Sequence, residues 1–463
     1  MRRFLRRLRR GRTTVPESFD YRLVTPMVLG SILNPINSSM LAVALIPIGR
    51  AFDAPPAQTA WLVTGLYLAT AVGQPVIGRL VDAFGPRRLY LAGTALVGFA
   101  GLVAVFAPNL WVLVATRVLL GFGTSAAYPA SMSLLRTEAD RTGVHSPSRI
   151  LATLTVSNQI VTVAGPTLGG LLVGAGGWHL IFALNVPLAA ACLVLGTLRL
   201  PAGGAVPSGV RTDVLGMVLF AGSLTALMLF VMDPAAGRWY LPAVGAAAGA
   251  LFVRRELAAT RPFIDLRVLG GNRPLLATYA RQFLAYTVTY TFLYGYSQWL
   301  QDGRGIDPAS AGLLQLPMAL AAIAITVPAG RNAKVRGKLV AGSLIQLAGC
   351  ACLLLLTSDS PAWLLLVLAT VFGVPHGLNS LANQNALYAQ ADPERMGASA
   401  GLLRTSTYFG ALLSSAVTAA FFQDGATTAG MHGLAWPMIG AAALFLVASV
   451  ADRSLNRVGR DAT

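Results

Sequence analysis

Polar and charged side chains interrupt long apolar stretches of this sequence at a few places, and Arg117 is one of them. A guanidinium at membrane depth is costly, so it faces a water-filled cavity or a partner. Gly121, Thr124 and Tyr128 follow on the same helical face, a stripe that could line a pore and bind a solute. In the alternative interpretation, Arg117 snorkels to the surface or pairs with the charged turn around Asp82.

A second polar group lies later in the chain. His376, Asn379 and Asn383 are spaced i, i+3 and i+7, so a helix would place them on one face. A histidine, with its usual pKa of about 6.5, could carry a proton there, although a hydrogen-bonded polar seam is the simpler explanation. Arg404 lies one turn inside another apolar stretch and could reach either the cytoplasm or a cavity.

Aromatic residues form a third pattern. Tyr286, Tyr290 and Tyr294 are spaced as an i, i+4, i+8 stripe. Such stripes in membrane proteins are more often packing or interface belts, and the other interpretation is that the rings stack against a substrate. Asn34 and Asn158, polar residues within apolar stretches, join Tyr286 and Tyr290 as candidate residues for substrate binding or coupling.

Signatures of catalysis are not found in the sequence. The four histidines are widely separated, and there are no paired carboxylates, metal-ligand spacings, nucleophile elbows or phosphate-binding loops. The three cysteines lie in apolar stretches and are expected to pack as small apolar side chains. We therefore predict no catalytic residue, no metal site and no cofactor.

Composition places these residues in a polytopic membrane protein. Hydrophobic residues make up 55% of the 463 residues and charged residues 11%, with a mean hydropathy of +0.63, whereas a soluble domain carries about 25% charged residues. The net charge of +17 is spread over the segments between apolar stretches. It therefore indicates membrane topology and not a nucleic-acid partner.

Apolar stretches long enough to cross a bilayer, about 20 residues each, occur fourteen times. Their approximate ranges are 24–48, 58–79, 88–107, 110–135, 150–174, 179–198, 213–232, 239–253, 274–299, 309–329, 338–357, 362–387, 398–421 and 431–451. The eighth is short for a full crossing. With the N-terminus inside, the outer loops hold three basic residues, Arg50, Arg238 and Arg304, out of 35 in the chain, as the positive-inside rule requires.

A charged turn connects the second and third of these stretches. Gly78 and Gly85 allow a tight connection, and Asp82 can cap a helix. Arg87 and Arg88 hold the turn on the cytoplasmic side. The spacing G-x-L-x-D-x-x-G-x-R resembles the loop between spans 2 and 3 of major facilitator superfamily transporters, and this resemblance implies a latch on the cytoplasmic side.

Gly165, Pro166, Gly169 and Gly170 form the sequence G-P-x-x-G-G in the fifth stretch. The glycines allow another helix to approach closely, and the proline frees a carbonyl and permits a bend. Small-residue packing alone accounts for such glycines in many membrane proteins. The pattern also resembles the signature of antiporting, mostly exporting, members of the same superfamily, and we expect it to pack against span 8 or span 10.

Three further segments resemble that superfamily. The segment 37–47 is similar to the span-1 motif of its fourteen-span drug:proton antiporter branch, with Asn37 where an aspartate is common, and 263–267 is similar to the segment before span 9. Arg117 begins a stretch similar to the span-4 pattern R-x-x-Q-G, although Leu120 replaces the glutamine. The resemblance implies an all-α membrane fold with two six-helix halves and two inserted spans.

These spans divide the chain into six predicted segments. They are a basic cytoplasmic tail at 1–23, an N-terminal six-helix half at 24–199, a loop with the two inserted spans at 200–253, a basic cytoplasmic loop at 254–273, a C-terminal six-helix half at 274–451 and a cytoplasmic tail at 452–463. The first tail could form an interfacial helix, with Phe4, Leu5 and Leu8 on one face, or stay a disordered tail that fixes topology.

No acidic residue lies within a predicted bilayer interior, whereas proton antiporters usually hold a buried carboxylate for which proton and substrate compete. The interior is predicted to be positive, with Arg117, Arg281 and Arg404 inside the spans. Such an interior disfavours lipophilic cations and accepts neutral or anionic compounds.

We therefore expect a monomeric exporter of small amphipathic compounds in a bacterial plasma membrane, a drug or antibiotic efflux protein. It would work by alternating access, driven by protons or by the membrane potential. The expected partners are the small-molecule substrate, membrane lipid and, in the proton-linked case, protons. One alternative is a carrier of a metabolite or lipid-like substrate, which could import; another is a non-transporting membrane sensor, which should carry a soluble output domain.

Overall fold

The described part of the chain is helical. The computed structural model describes residues 19–54, 56–143, 147–202, 213–232, 236–260, 262–264, 266–306, 308–332, 334–423, 425–456 and 458. Within these ranges no strand occurs, which confirms the all-α class. The predicted interfacial helix at the start of the tail lies outside the described residues.

The described ranges contain seventeen α-helices. They are α1 (Val24–Ala51), α2 (Pro56–Phe84), α3 (Pro86–Val105), α4 (Leu110–Thr124), α5 (Ala127–Thr142), α6 (Ser148–Gly176), α7 (His179–Ala183), α8 (Asn185–Arg199), α9 (Val214–Met232), α10 (Tyr240–Ala258), α11 (Leu266–Gly271), α12 (Arg273–Gln298), α13 (Pro308–Ala329), α14 (Arg336–Leu353), α15 (Ala362–Gln390), α16 (Met396–Phe421) and α17 (Thr428–Ala451). A helix lies at each predicted apolar stretch, and the fourth and sixth stretches are each divided into two consecutive helices.

Helix length and apolarity alone identify fewer membrane spans than predicted. Among the described residues, seven helical stretches are long and apolar enough to cross a membrane, and α1 is an eighth if its two arms, which meet at 52°, form one span. The helices that fall short include α12 and α16. Both direct arginine and hydroxyl side chains towards other helices, and a helix enclosed by other helices does not need an apolar surface all round.

Two helical groups, α1–α8 and α12–α17, each bury apolar side chains, and the cluster of the first group extends to residues of the second such as Leu381 and Met396. Tyr90, Leu113 and Phe182 are buried in the first group. In the second, the rings of Phe292 and Phe372 stack with centroids 3.8 Å apart. Because lipid tails are as apolar as these side chains, close van der Waals contact stabilises each group.

Helices α9 and α10 form a hairpin between the two groups along the chain. The Ser223 hydroxyl donates to the carbonyl of Gly245 at 2.8 Å. At the end of the hairpin away from the connection between α9 and α10, Arg255 pairs with Asp213 at 2.9 Å. Leu224 packs with Tyr408 of α16 and with apolar residues of α2, so the hairpin covers the side where α2 and α16 meet.

Arg281 does not supply a free positive charge to the interior, contrary to the sequence-based expectation. It is fully buried, and its Nη1 donates to Asp452 at 2.6 Å while its Nη2 donates to Thr278 at 2.6 Å. Burial raises the pKa of Asp452, but hydrogen bonds from Ser454 and Arg281 outweigh burial and hold that pKa below its usual value. The pair therefore joins α12 to the end of α17.

We predict that Asp452→Asn destabilises the protein by about 3 kcal/mol, because it leaves the Arg281 guanidinium buried without its charge partner. Thermal unfolding in detergent measures the loss. The double variant Arg281→Met/Asp452→Asn should recover much of the stability, since it removes both charges. Equal stability of Asp452→Asn and the wild type would contradict a stabilising ion pair.

Candidate functional site

Several helix pairs join the N-terminal group, α1–α8, to the C-terminal group, α12–α17, and two of them are α2 with α16 and α6 with α13. In the pair α2 and α16, an ideal Cβ on Gly397 would lie 2.6 Å from the carbonyl oxygen of Gly78, and Thr405 donates to the carbonyl of Ala71 at 3.0 Å. In the pair α6 and α13, Gly330 at the end of α13 lies against Ala152. Small residues at both crossings allow the backbones to approach closely.

Asp82 closes one end of the α2 and α16 pair. Its Oδ1 accepts from the amide of Gly397 at 2.7 Å, and its Oδ2 accepts from the amide of Ala398 at 2.8 Å. These amides belong to the first turn of α16, where they have no partner within the helix and carry the positive end of the helix dipole. A carboxylate of the N-terminal group thus caps a helix of the C-terminal group, and we name this end of the bundle the Asp82 end.

Other hydrogen bonds between the two groups lie near the same end. Arg136 donates to the carbonyl of Tyr388 at 3.4 Å, and Ser148 donates to Asn385 at 2.7 Å. At 1.5 Å per residue, all the hydrogen bonds between the groups that the structure describes lie within about 20 Å of the Asp82 end. The described polar contacts therefore latch the Asp82 end and not the opposite end.

The remaining residues of the charged turn take different positions. Gly85 has a φ of 91°, which favours glycine, and it allows α3 to begin directly after α2. Arg87 donates to the carbonyl of Thr197 at 2.8 Å, within the N-terminal group. Arg88 is exposed. Of the predicted latch residues, Asp82 and Gly78 are those whose described contacts cross to the other group.

Arg404 and Tyr128 meet between the two groups at mid-depth. The guanidinium carbon of Arg404 lies 4.1 Å from the ring centroid of Tyr128, within the range of a cation–π contact. Beside them, Asn34 accepts from the Tyr408 hydroxyl at 3.2 Å and donates to Thr124 at 3.0 Å. We name these five residues the central seam.

The tyrosine stripe runs along α12 next to the central seam. Neighbouring rings of Tyr286, Tyr290 and Tyr294 have centroids 5.9 and 5.6 Å apart. The backbone of Tyr286 lies close to Gly410 of α16, and the ring of His376 meets the Tyr286 ring edge-on at 5.7 Å. Tyr290, Tyr294 and His376 are only half-buried, so part of their aromatic surface is accessible.

Arg117 and Asn37 lie inside the N-terminal group and not at the seam. Arg117 is fully buried, and it donates to the carbonyls of Leu62 at 3.2 Å and of Asn37 at 3.0 Å. Its guanidinium also lies 5.8 Å from the ring centroid of Phe182. The Asn37 side chain donates to Asn185 at 2.6 Å. Two backbone carbonyls therefore bind Nε and Nη2 of Arg117, whereas its buried Nη1 has no described hydrogen-bond partner.

The structure contradicts the alternative that Arg117 snorkels or pairs with the turn around Asp82. Helix α4 begins at the end of the bundle opposite Asp82, and Arg117 lies about 10 Å from that start. The predicted helical face also breaks, because α4 ends at Thr124 and α5 begins at Ala127. Gly121 packs against α2, so it holds two helices together.

The candidate asparagines form separate hydrogen bonds. Asn379 donates to Gln346 at 3.2 Å, and Asn383 donates to Gln282 at 3.0 Å, both buried within the C-terminal group. Asn158 donates to the carbonyl one turn earlier in its own helix at 2.6 Å. His376 contacts the tyrosine stripe, whereas Asn379 and Asn383 form the internal polar seam that was the simpler interpretation of their spacing.

The predicted partner of the glycine signature in α6 is wrong, because Gly165 and Gly169 pack against α1 and not against span 8 or span 10. A Cβ on Gly165 would overlap the side chain of Ser39, and a Cβ on Gly169 would lie 2.8 Å from the carbonyl oxygen of Met40. Gly170 has nothing within 4 Å of an ideal Cβ. The first and fifth predicted spans are neighbours in one group, so the small-residue face of α6 meets α1. The proline of the signature lies in α6, and its side chain is outside the described part.

Sequence reasoning missed Tyr408 and Tyr67, whose ring centroids lie 6.0 Å apart across the two groups. Tyr408 follows Arg404 by one helical turn, and this i, i+4 spacing was an available signal. Tyr67 has no comparable pattern around it. Its proximity to the seam follows from the crossing of α2 and α16.

Two groups of helices that meet around a polar centre form the architecture of a secondary transporter. Residues 27–415 match the sequence model of the Major Facilitator Superfamily. The chain therefore belongs to the Major Facilitator Superfamily, a family of membrane transporters and not of enzymes.

Several known proteins are similar to this chain. It is 31% identical to the uncharacterised MFS-type transporter YwoD of Bacillus subtilis, over 91% of this chain and 95% of YwoD. It is 26% identical to the methylenomycin A resistance protein of the same species, over 90% of each chain, and 25% identical to the riboflavin transporter RibZ of Clostridioides difficile, over 86% of this chain and 87% of RibZ. The crystal structure of the human organic anion transporter MFSD10 has the same fold, with a TM-score of 0.65 at 18% identity over 92% of this chain and 99% of MFSD10.

We predict that Asp82→Asn opens the Asp82 end. The neutral amide keeps the size of the side chain but loses the charge that the first turn of α16 attracts. A cysteine at Ser148, which is buried against Asn385, should then react several times faster with a membrane-impermeant maleimide, and transport should fall.

The reporter requires a background in which Cys192, Cys350 and Cys352 are alanine. Asp359→Asn is the matched control, because Asp359 is exposed and its described side-chain contact is with the neighbouring Ser358. Unchanged labelling and transport in Asp82→Asn would contradict a latch at Asp82, and the charged turn would then serve only to set the membrane topology.

Alanine substitutions at Gly165 and Gly170 should have opposite outcomes. We predict that Gly165→Ala costs about 1–3 kcal/mol of stability, because its Cβ overlaps Ser39 and forces α1 away from α6. Gly170→Ala should be neutral, since that Cβ enters open space. Thermal unfolding and export assays of both variants check this, and equal losses would show that the close contact with α1 is not what the signature provides.

Proposed function

We propose that this protein is a secondary active exporter of small amphipathic compounds that works by alternating access in a bacterial plasma membrane. In this proposal all fourteen predicted stretches cross the bilayer, and both termini and the Asp82 end are cytoplasmic. The latch at that end and the absence of described hydrogen bonds at the opposite end support an outward-facing conformation. Rocking of α1–α8 against α12–α17 would expose the central seam to each side in turn.

The observation that carries the proposal is the character of the central seam. It combines a half-buried arginine with tyrosine rings and an asparagine. Each acidic residue that the structure describes lies in a connection or near a helix end, and none is part of the seam. A site of this kind attracts neutral or anionic compounds with flat aromatic surface and disfavours lipophilic cations.

Arg404 is the cation best placed to contact the substrate. Its described contact is with the face of Tyr128, and a cation–π contact at a partly exposed site is worth only about 0.5–1 kcal/mol. A carboxylate or phenolate on the substrate could replace that contact with a stronger charge-assisted pair. Arg117, by contrast, is fully buried in this conformation and donates to one carbonyl of α1 and one of α2, so we assign it to holding α1, α2 and α4 together.

The charge of the seam also bears on the driving force. Moving one elementary charge across the membrane is worth about 2.3 kcal/mol per 100 mV. For a monoanion that leaves an inside-negative cell, this corresponds to an accumulation ratio of about fiftyfold. A potential alone could therefore drive export, without a carboxylate that exchanges a proton for the substrate.

The similarity to the methylenomycin A resistance protein favours efflux of antibiotic-like compounds. The similarity to the riboflavin transporter RibZ favours a second candidate, a carrier of a metabolite with flat aromatic rings that could import. The central seam suits both, since each needs aromatic stacking with a polar or anionic group nearby. The direction of net flux in oriented vesicles distinguishes them.

We predict that the reconstituted protein moves carboxyfluorescein, an aromatic carboxylate, under an imposed potassium diffusion potential at equal pH on both sides. Arg404→Ala should reduce the initial rate at least tenfold, because it removes the positive charge from the seam. Arg404→Lys should retain part of the activity.

Arg50→Ala serves as the matched control, since Arg50 is exposed at the opposite end of α1. Strict dependence on a pH gradient, with lipophilic cations preferred over carboxyfluorescein, would contradict the proposed substrate class. Equal losses of activity in Arg404→Ala and Arg50→Ala would contradict a role of the central seam in binding the substrate.

A further inference from the structure

A groove of about 690 Å³ lies where α6 and α13 meet near the Asp82 end. Arg149 and Arg331 line it together with Ala152, Val156 and Val327. Arg149 is the second residue of α6, and Arg331 follows the end of α13 by two residues. Each of the two groups of helices therefore contributes one arginine to the same groove.

Among the described residues, the two arginines have no side-chain partner. Both side chains are exposed, and within the part of the chain that the structure describes, neither guanidinium has a hydrogen bond or an ion pair with another side chain. Elsewhere at the Asp82 end, Arg136 pairs with Asp140 and Arg141 pairs with Glu138. Two unpaired guanidiniums in one groove are suited to an anion from outside the protein.

The groove changes character along its length. Arg149 and Arg331 lie at its end near the helix termini, and Val156 and Val327 lie further along α6 and α13, towards the middle of the bundle. Leu171 on α6 and Leu320 on α13 are exposed on the surface, which is the arrangement of helices that face lipid tails. A basic end that continues into an apolar channel matches an amphipathic ligand with an anionic head.

The junction of α2 with α16 and the junction of α6 with α13 differ in which helices cover them. The hairpin α9 and α10 packs over the α2 and α16 junction. The α6 and α13 junction keeps its groove, and Ala152 and Gly330 touch there. From these observations we infer that this groove binds one anionic phospholipid, whose phosphate contacts Arg149 and Arg331 and whose acyl chain lies along Val156 and Val327.

A lipid held in this way would join the two groups of helices at the end that Asp82 latches. The phosphate contacts both guanidiniums only while α6 and α13 are close together, so binding favours the conformation in which the Asp82 end is closed. Lipid composition would then shift the balance between the two conformations of a transporter without any contact with the substrate.

The test is native mass spectrometry of the full chain after delipidation in detergent, with phosphatidylglycerol or phosphatidylcholine added. The wild type should retain one phosphatidylglycerol in preference to phosphatidylcholine. Arg149→Gln and Arg331→Gln should each lower the retained fraction, and the double variant should lower it at least fivefold. Arg273→Gln is the matched control, because Arg273 is exposed at the start of α12 and does not line the groove.

Three results would overturn the inference. They are equal retention of phosphatidylcholine, an equal loss in Arg273→Gln, and displacement of phosphatidylglycerol by millimolar inorganic phosphate, which would indicate a site for a free anion. Because both arginines are exposed, the variants are expected to fold, and their unfolding temperatures without lipid verify this. Phosphatidylglycerol should raise the unfolding temperature of the wild type but not of the double variant.

Discussion

The contact between the Asp82 carboxylate and the first turn of α16 is the interaction on which the rest of the structure depends. It joins a side chain of one six-helix group to the backbone of the other, and it uses amides that a helix cannot satisfy internally. A carboxylate at a helix N-terminus is worth up to about 2 kcal/mol when partly buried. In the proposed alternating-access function, that is enough to shift a two-state equilibrium about thirtyfold and small enough to be broken in each transport cycle.

The positions of the buried arginines follow from the cost of an unsatisfied charge. Arg117 and Arg281 are fully buried, and each is held by fixed partners, backbone carbonyls in the first case and Asp452 in the second. Such residues stabilise the helices around them, although Nη1 of Arg117 and Nε of Arg281 are buried without a described hydrogen-bond partner. Arg404 is half-buried and lies on the face of a tyrosine, so it can exchange that contact for a stronger one at low cost.

Much of the fold could be predicted from the sequence, because the length of an apolar stretch directly reflects the thickness of a bilayer. A contact of Asp82 with the other group of helices could also be predicted, since a charged turn between two apolar stretches has few physical explanations; its role in gating stays a prediction. What could not be predicted is which helices are neighbours. Gly165 was matched with the wrong partner, and the ion pair of Arg281 joins residues 171 positions apart in the chain. Helical periodicity indicates which residues share a face but not which helix covers that face.

The central claim is that one charge on α2 sets the balance between two conformations, and spin-label distances across both ends of the bundle test it most directly. One label pair at Arg88 and Arg273 reports on the Asp82 end, and a second at Trp111 and Trp363 reports on the opposite end; all four side chains are exposed. The substitution Asp82→Asn should lengthen the distance between the labels at the Asp82 end and shorten the distance between the labels at the opposite end. If both distances remain as in the wild type, or both change in the same direction, the contact of Asp82 with α16 does not control alternating access.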